Sequence, residues 1–303
     1  MKTISFFILT YNRPVDTQEA LENILFFLDH PADIFIEIVV VNNNSSVDYQ
    51  AFENFIQKNE QSEHHRIIYI KNTENKGVAG GRNQAMEIAS GEILISLDDD
   101  AEFREKDLLP RILDLFEKYK DQNVAFLTFQ VVEQSDGRIF VASKAKDSLQ
   151  KKELFTNYFA GGAHALKKSL LKDIGLYNVS EKYGAEEYDL SFKLLEKGYR
   201  IVHTNEISIL HKKNPDGRFD YAKQNGQLLK NKSLLAYRFL PIRYYYSHLF
   251  FWSLFFLKET NLKVFQLFKY LRETHQARKS ITRKVISPKT IQYIKSIGGR
   301  LTY

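Results

Sequence analysis

Three consecutive aspartates, Asp98, Asp99 and Asp100, directly follow the apolar run ILISL at residues 93–97. Two carboxylates separated by one residue can point to the same side of the chain. One of them can then accept a hydrogen bond from a ribose hydroxyl while the other binds a hard divalent cation. The alternative is a solvated turn after a strand. We interpret the triplet as a cation site because crowded like charges repel unless something offsets them.

A glycine-rich segment, NKGVAGGRNQA at residues 75–85, contains Gly77, Gly80 and Gly81 followed by Arg82. Glycines at a helix start allow close approach to backbone N–H groups, and arginine adds a fixed positive charge, so the segment is typical of a phosphate site. Its spacing matches neither the P-loop nor the dinucleotide-binding pattern. An ordinary glycine turn with a surface arginine is the alternative interpretation.

Two further groups are candidates for proton transfer and metal binding. Glu186, Glu187 and Asp189 cluster at the start of a predicted helix. Carboxylates there can supply a general base or simply offset the helix dipole. His211 ends a predicted strand. It is a structural histidine or, if its strand ends beside the aspartates, a ligand that suits Mn²⁺ together with carboxylates.

Strands and helices alternate in the first hundred residues, and this pattern positions the polar groups. Continuous apolar runs predict buried strands at residues 4–10, 34–41, 66–70 and 92–97. Helical patterns with short connections separate them, at residues 16–28, 48–59 and 77–90. The alternation predicts a parallel, doubly wound α/β sheet, in which ligands bind at the carboxyl ends of the strands.

The polar segments fall at those strand ends, at residues 10–12, 42–45 and 98–100. We therefore expect them to lie along one edge of the sheet. Beyond residue 104 the alternation loosens. We expect mixed or antiparallel strands at residues 124–132 and 139–143, a strand at residues 200–211, and helices from about residue 221.

The composition of the 303 residues is that of a globular protein, with 44% hydrophobic and 26% charged residues. The chain contains no cysteine, which excludes disulfides and thiolate metal sites. We interpret the opening MKTISFFILTYNRP as the first strand rather than a signal peptide, because its apolar run is short and polar residues interrupt it. No apolar run approaches the roughly 20 residues that span a bilayer.

The net charge of +6 is unevenly distributed. Residues 230–303 contain fifteen Lys and Arg against two Glu, a charge of +13, and the remainder carries −7. One interpretation of this basic, aromatic region is an amphipathic surface that contacts an anionic membrane leaflet. The alternatives are helical packing against the rest of the chain and a homo-oligomer interface. No recognised nucleic-acid-binding module is present in the sequence, so we expect no nucleic-acid partner.

Together these segments resemble glycosyltransferase family 2, nucleotide-sugar enzymes with the GT-A fold. The resemblance runs from about Thr3 to His211. It is carried by ILTYNRP, VVVNNNSS, NKGVAGGRNQAMEIASGEILISLDDD, GGAHALKKSLLKDIGLYN and YGAEEYDLSFKLLEKGY, in that order. It implies an α/β, Rossmann-like, mostly parallel sheet flanked by helices, with a smaller mixed acceptor-side region and a C-terminal helical extension.

The implied domains are a catalytic domain at residues 1–220 and a helical basic and aromatic region at residues 221–303. Within the catalytic domain, residues 1–104 form the nucleotide-sugar-binding half and residues 105–220 the acceptor-binding half.

The resemblance also assigns the site residues. Those implied to bind the nucleotide sugar are Thr10, Tyr11, Asn12, Arg13, Asn42, Asn43, Asn44, Gly77, Gly81, Arg82, Asp98 and Asp99. Those implied on the acceptor side are Gly161, Gly162, Ala163 and His164, and the implied metal ligands are Asp98, Asp100 and His211. Glu187 occupies the position of the usual base, and Glu186 and Asp189 remain alternatives because Glu187 is longer than the usual aspartate. Asn42 or Asn43 stands where the family usually has an aspartate, which leaves the nucleotide base open.

The implied activity is inverting transfer of a sugar from a nucleoside diphosphate sugar to a hydroxyl of a glycan or lipid-linked acceptor. A UDP-sugar is favoured over a dTDP-sugar. Mn²⁺ or Mg²⁺ is the implied cofactor, because a departing diphosphate needs its charge offset. The implied setting is bacterial capsule or cell-wall polysaccharide synthesis, in the cytoplasm or peripherally at the inner face of the cell membrane. The alternatives are a nucleotidyltransferase acting on sugar phosphates and a catalytically inactive nucleotide- or glycan-binding module.

Overall fold

A computed structural model describes residues 1–143, 147–179, 184–212 and 221–302. One ten-stranded sheet organises these residues, and its main path has the order β3-β2-β1-β4-β9-β6-β10-β5. The strands are β1 (Lys2–Thr10), β2 (Ile34–Asn42), β3 (His65–Lys71), β4 (Ile93–Asp98), β5 (Ala101–Phe103), β6 (Val124–Glu133), β7 (Ile139–Phe140), β8 (Glu153–Thr156), β9 (Ala163–Lys167) and β10 (Arg200–His211).

Helices cover both faces of the sheet. They are α1 (Pro14–Glu22), α2 (Gln50–Asn59), α3 (Gly77–Ile88), α4 (Leu108–Lys118), α5 (Leu171–Ile174), α6 (Glu186–Glu196), α7 (Tyr221–Phe239), α8 (Ile242–Glu259), α9 (Val264–Arg278) and α10 (Pro288–Ser296). The predicted first helix ends earlier than its apolar pattern, because α1 passes into a π-helical turn at Asn23–Phe27. Among the described residues, no helix combines the length and the apolar character that a bilayer crossing requires.

The predicted parallel sheet is confirmed for β1 to β4. β1 pairs in parallel with β2 on one side and with β4 on the other. The pairing places Thr10 beside Asn42 and Leu9 beside Asp98. Because parallel strands end at the same edge, the polar segments that follow β1, β2 and β4 meet there.

The second half of the sheet is mixed, as predicted. β9 lies antiparallel between β4 and β6, and β10 runs parallel to β6 along both its ends, with His211 paired to Glu133. Two short strands that the sequence pattern did not predict, β5 and β8, each pair antiparallel with β10. The carboxyl end of β10 therefore lies at the same end of the sheet as the carboxyl end of β4.

Alternating residues of the central strands fill two apolar layers. On β1, Ile4, Phe6 and Ile8 pack into the layer shared with α1, α2 and α4. Phe7 faces the opposite layer, which includes residues of α3, α6 and α7. This two-sided burial explains why the strands are continuously apolar in sequence.

The four C-terminal helices begin with α7, which packs against α8 and α9 around Leu229, Phe256, Leu267 and Tyr270. An ion pair between Arg238 of α7 and Asp189 of α6, 2.8 Å long, joins this region to the sheet-bearing part. The domain boundary predicted at residue 220 lies outside the described residues and stays a prediction. The boundary predicted at residue 104 lies within the described residues and also stays a prediction.

Candidate active site

The candidate site is a pocket of about 270 Å³ at the carboxyl ends of β4, β6 and β10. Its walls include Asp98, Glu133, Gly161, Gly162, Ala163 and His211. A larger cleft of about 1180 Å³ opens at the opposite edge, beside Lys2 and Ile93, where β1 and β4 begin. That cleft contains none of the residues that the sequence singled out for chemistry. The smaller pocket is therefore the candidate, because it is where those residues converge.

Asp98, Asp100 and His211 form one cluster, in which Asp98 and His211 line this pocket and Asp100 is buried beside them. Each offers a ligand atom, and the three atoms lie within 4.8 Å of one another. The Asp100 carbonyl accepts a hydrogen bond from the Lys212 backbone N–H at 2.8 Å, which fixes the end of β10 beside the aspartate turn. Two carboxylates and an imidazole fit Mn²⁺ or Mg²⁺, and the mixed oxygen and nitrogen set favours Mn²⁺.

Arg13 offsets the charge of the aspartate triplet from the other side. Its guanidinium Nη1 lies 2.8 Å from Asp99 Oδ1 and 3.0 Å from Asp100 Oδ2, and the two carboxylates are buried. Burial alone would lower the pKa of Arg13, but Asp99 and Asp100 outweigh it and raise the pKa. Burial raises the pKa of Asp99 to about 7, with Arg13 opposing and Asp100 and Asp98 reinforcing the shift. The turn thus carries less than three full negative charges near neutral pH.

His211 is held between two acids. Its Nε2 lies 3.3 Å from Asp100 Oδ1 and its Nδ1 lies 3.3 Å from the Glu133 carboxylate. Burial lowers the pKa of His211, but the Asp100, Asp98 and Glu133 carboxylates outweigh it, and the net shift is upward. A carboxylate on one ring nitrogen orients the other toward the aspartates, as second partners of ligand histidines do.

Sequence reasoning missed Glu133. The only available signal was its position as the last residue of a strand, and that signal needs the β6–β10 pairing, which joins segments 78 residues apart.

Arg82 links the aspartates to the acids of α6. Its guanidinium donates to Asp98 Oδ1 at 2.9 Å and to Glu187 Oε1 at 3.3 Å. The side chain is 8% exposed. Burial lowers the pKa of Arg82, but neighbouring groups, led by Asp98, outweigh this effect and raise the pKa. The guanidinium therefore stays charged. The predicted phosphate-site arginine thus lies beside the cluster, between two acids from distant parts of the chain.

Glycines bring these charged groups close together. A Cβ on Gly162 would overlap the Asp98 carboxylate, and a Cβ on Gly161 would lie 2.6 Å from Arg82 Nη1 and overlap Glu187. The Ser96 hydroxyl donates to the Gly161 carbonyl at 3.0 Å and holds this segment on β4. Only glycine leaves room for three charged side chains at this wall.

The three acids at the start of α6 have different environments. Glu187 is partly exposed, 21% of its side chain, and faces Arg82. Glu186 is buried, and its Oε2 has no hydrogen-bond partner among the described residues. Burial and then the adjacent Glu187 raise the pKa of Glu186 to about 7. The residue before them, Ala185, has a φ of 86°, so the helix begins from a strained backbone.

Asp189 differs from the other two acids because its carboxylate is fully buried in ion pairs. Arg238 lies 2.8 Å from one oxygen and Lys193 lies 2.6 Å from the other. Oδ1 accepts a hydrogen bond from Arg238, and Oδ2 lies at ion-pair distance from Lys193 without a hydrogen bond among the described residues. This burial between two cations favours a structural role for Asp189 over that of a base.

The asparagines after β2 use their amides within the chain. Asn42 accepts from the Ser45 N–H at 2.9 Å and donates to the Tyr69 hydroxyl at 3.0 Å. Asn43 donates to Asn75 and to the Gly77 carbonyl. These bonds hold the surrounding loops in place, and a role of Asn42 or Asn43 in nucleotide binding stays a prediction.

Around the first strand, Thr10 and Asn12 also bond within the chain. Thr10 Oγ1 contacts the hydroxyls of Thr17 and Tyr49, both at 2.7 Å. Asn12, with a φ of 61°, accepts from the Ser46 N–H at 2.7 Å and donates its own N–H to Ser45. These bonds join the loops after β1 and β2 into one rim.

The other predicted binding residues divide between rim and interior. Tyr11, Asn12 and Arg13 are partly exposed beside the aspartate turn, where the Tyr11 N–H lies 3.4 Å from Asp99 Oδ2. Asn44 is exposed on the outer side of the rim. Gly77, with a φ of 70°, opens α3.

Gly81 and His164 both face neighbours within the chain. A Cβ on Gly81 would overlap Leu9, so this glycine allows α3 to pack closely on β1. His164 is fully buried, stacked on Phe126 at 5.0 Å between ring centroids. Burial lowers its pKa to about 3, and its ring faces the core instead of the pocket. The pocket wall expected on the acceptor side is formed by Gly161, Gly162 and Ala163.

The sequence matches the family model described as "Glycosyl transferase family 2" over residues 5–175. A similar curated protein is UDP-Glc:alpha-D-GlcNAc-diphosphoundecaprenol beta-1,3-glucosyltransferase WfaP of Escherichia coli. The two are 26% identical over 220 residues, which cover 70% of this chain and 81% of WfaP.

Two solved structures have a similar fold. GalNAc-T7, crystallised with UDP, GalNAc and Mn²⁺, superposes with a TM-score of 0.67 at 16% identity, over 98% of this chain and 56% of its own. The mannosyltransferase PcManGT from Pyrobaculum calidifontis, in complex with GDP-Man and Mn²⁺, gives a TM-score of 0.59 at 18% identity, over 97% of this chain and 78% of its own. The predicted GT-A fold is thereby confirmed.

Proposed function

The chain belongs to glycosyltransferase family 2, and on that premise we propose that it is an inverting, metal-dependent enzyme whose base is Glu187. It is a glycosyltransferase that uses nucleotide-sugar donors. The donor is proposed to be a UDP-sugar, with a dTDP-sugar as the second choice. The acceptor is proposed to be a hydroxyl of a glycan or of a lipid-linked glycan in bacterial surface-polysaccharide synthesis.

One observation carries this proposal, namely that Arg82 joins two acids with different surroundings beside the Gly161 wall of the pocket. Asp98 belongs to a cluster with Asp100 and His211 that fits a divalent cation. Glu187 lies beyond the same guanidinium, against Gly161, and belongs to no such cluster among the described residues. Two carboxylate sites separated by the Arg82 guanidinium suit a reaction in which a charged diphosphate departs at one site and a proton is removed at the other.

The proposed division of work follows from these positions. A divalent cation held by Asp98, Asp100 and His211 would offset the charge of the departing diphosphate. Arg82 would donate N–H groups toward that diphosphate from beside the cluster. Arg13 would keep the aspartates in place by pairing with Asp99 and Asp100.

Glu187 would remove the proton from the acceptor hydroxyl as that oxygen attacks the anomeric carbon. An alcohol has a high pKa, so transfer to a positioned carboxylate lowers the barrier. A direct displacement with one base and no covalent intermediate inverts the anomeric centre. Glu186 is the second choice for the base, because burial keeps its proton on near neutral pH, and Asp189 the third.

The similar proteins support the finer parts of the proposal. The name of WfaP gives UDP-glucose as its donor and a diphosphoundecaprenol-linked sugar as its acceptor. The two solved structures contain Mn²⁺ with UDP or GDP-mannose. We propose by analogy Mn²⁺ or Mg²⁺ as cofactor and a lipid-linked acceptor. We also retain the proposed division into a nucleotide-sugar half, an acceptor half and a helical C-terminal region.

A thermal-shift screen with nucleotide sugars, with and without Mn²⁺, tests the donor and the metal together. A ligand that binds the native state raises the free energy of unfolding by mass action, by about 2.7 kcal/mol at a hundredfold excess over Kd, and so raises the melting temperature. We expect UDP and one UDP-sugar to raise it most, and only with the metal.

The variant Asp100→Ala should lose the Mn²⁺-dependent shift and sugar transfer together. Asp121→Ala, at an exposed aspartate remote from the pocket, is the matched control and should behave as wild type. Full metal-dependent activity in Asp100→Ala would remove the metal assignment.

A further inference from the structure

The end of the helical hairpin formed by α8 and α9 exposes a cluster of large apolar side chains. The outward residues are Phe250, Phe251 and Leu254 of α8, Leu262 of the turn, and Phe265 and Phe268 of α9. Each is more than half exposed, and Phe265 reaches 93%. We call these six residues the hairpin face. Exposed apolar clusters of this kind mark interaction sites rather than ordinary surface.

The opposite sides of the same two helices are already packed. Tyr245, His248 and Phe256 of α8 are buried, as are Leu267 and Tyr270 of α9. Phe256 and Tyr270 contact each other at 5.7 Å between ring centroids. The hairpin face therefore points away from the rest of the molecule and is not part of its core.

The turn between the helices holds its apolar side chain outward at an energetic cost. Asn261 and Leu262 both have positive φ values, 52° and 60°. A leucine rarely adopts this backbone, and Leu262 is nevertheless 71% exposed. Burial in the core does not explain that arrangement, whereas burial in a partner would.

Positive charges border the hairpin face in sequence, on the same two helices and the turn between them. They are five exposed side chains, Arg243, Lys258, Lys263, Lys269 and Arg272. The acids nearby are Glu259 and Glu273, the two acids of residues 230–303, and Glu273 faces Lys230 at 3.9 Å. An apolar centre with a cationic border complements a surface that is apolar inside and anionic outside.

We propose that the hairpin face inserts into the interfacial region of an anionic lipid bilayer and holds this enzyme on the membrane. Phenylalanine and leucine side chains would lie among the acyl chains, and the border lysines and arginines would contact lipid phosphates. A second copy of the chain fits less well, because two such surfaces, each with five cations, would repel each other. This surface is separate from the candidate catalytic pocket, so membrane binding does not depend on which donor or acceptor the enzyme uses.

The experiment is co-flotation of the full chain with vesicles of phosphatidylcholine alone or of phosphatidylcholine with phosphatidylglycerol. We expect binding to the anionic vesicles that weakens as salt is raised, because salt screens the lysine–phosphate attraction. Phe265→Asp combined with Phe268→Asp should weaken binding by about a hundredfold, roughly tenfold for each lost aromatic insertion. Lys263→Glu combined with Lys269→Glu should weaken binding to the anionic vesicles more than any binding to vesicles of phosphatidylcholine alone.

Matched controls lie outside the face. Phe26→Asp changes a phenylalanine that is 66% exposed, against 64% for Phe268. Lys58→Glu reverses an exposed lysine on α2. Both controls should bind vesicles as wild type, and all variants should keep the wild-type melting temperature and water-soluble donor hydrolysis.

Three results would overturn the proposal. The first is no binding to either vesicle. The second is binding that the hairpin variants and the controls reduce equally. The third is a concentration-dependent dimer, measured by light scattering, that the hairpin variants abolish, since it would assign the face to a second copy.

Discussion

Replacing Glu186 by glutamine should change how the stability of the protein depends on pH. The side chain is buried at the start of α6 beside Glu187, and its pKa is raised to about 7 from 4.5. The unfolded chain therefore gives up this proton at a lower pH than the native chain. Between those two values the native state holds the proton that the unfolded state has lost, and the associated stability disappears as pH rises through about 7.

The magnitude follows from the size of the shift. A difference of about 2.5 pKa units corresponds to roughly 3 kcal/mol. Glutamine has the same shape and no charge, so it avoids this loss. We expect the free energy of unfolding of Glu186→Gln, relative to wild type, to rise by about 3 kcal/mol between pH 4 and pH 8. Any cost of burying the amide is the same at every pH, so the slope and not the offset is diagnostic.

Urea unfolding followed by circular dichroism at pH 4, 5, 6, 7 and 8 measures that slope. Glu187→Gln is the matched control, because it removes the neighbouring carboxylate and its ion pair with Arg82. It should recover only the smaller part of the loss that the Glu187 charge causes, because burial is the larger cause of the raised Glu186 pKa and remains in this variant. Parallel pH profiles for wild type and Glu186→Gln would refute the reasoning, because they would mean that Glu186 is ionised in the native state at neutral pH.

Three further predictions concern the pocket. Arg13→Met should lower the free energy of unfolding by about 3–5 kcal/mol in urea titrations, because it leaves buried carboxylates without their partner; the exposed Arg138→Met should change it little, and equal effects would contradict the role given to Arg13. Glu187→Gln should lower kcat by roughly 10²–10⁴-fold in a transfer assay while donor affinity is kept; a normal kcat would move the base elsewhere. Gly162→Ala should displace the Asp98 carboxylate and lower activity by about a hundredfold with nearly unchanged melting temperature, so wild-type Mn²⁺ affinity and activity in this variant would refute the proposed crowding.

The first half of the fold was predictable because its signals are local. β1, β2 and β4 are continuous apolar runs buried on both faces, and the glycine at position 77 opens α3. β5 and β8 were missed because each is short and is stabilised by β10, a strand roughly 50–110 residues away in sequence. A strand of three or four residues carries no periodicity that would reveal its partner.

The features of the candidate site also divide into those that local sequence signals predict and those that they do not. Asp98 and Asp100 were predictable as site residues because they follow a buried strand at the carboxyl edge of the sheet. His211 reaches them because β10 pairs with β5 directly after the aspartates, and the sequence pattern did not reveal that pairing. The internal bonding of Asn42 and Asn43 was not, because an amide can equally bond to ligand or to loop. His164 follows glycines that line the pocket, but the strand alternation turns its ring into the core.

Arg82 is one planar group with an acid on each side, and this has a consequence for how such an enzyme can diverge. Exchanging Glu187 for a shorter acid would leave the guanidinium closer to Asp98 alone, and exchanging Asp98 would draw it toward Glu187. A substitution at any one of these three positions should therefore alter the contacts of the other two. Phe140 and Arg138 border the pocket outside this trio, so substitutions there should leave the Arg82 contacts intact.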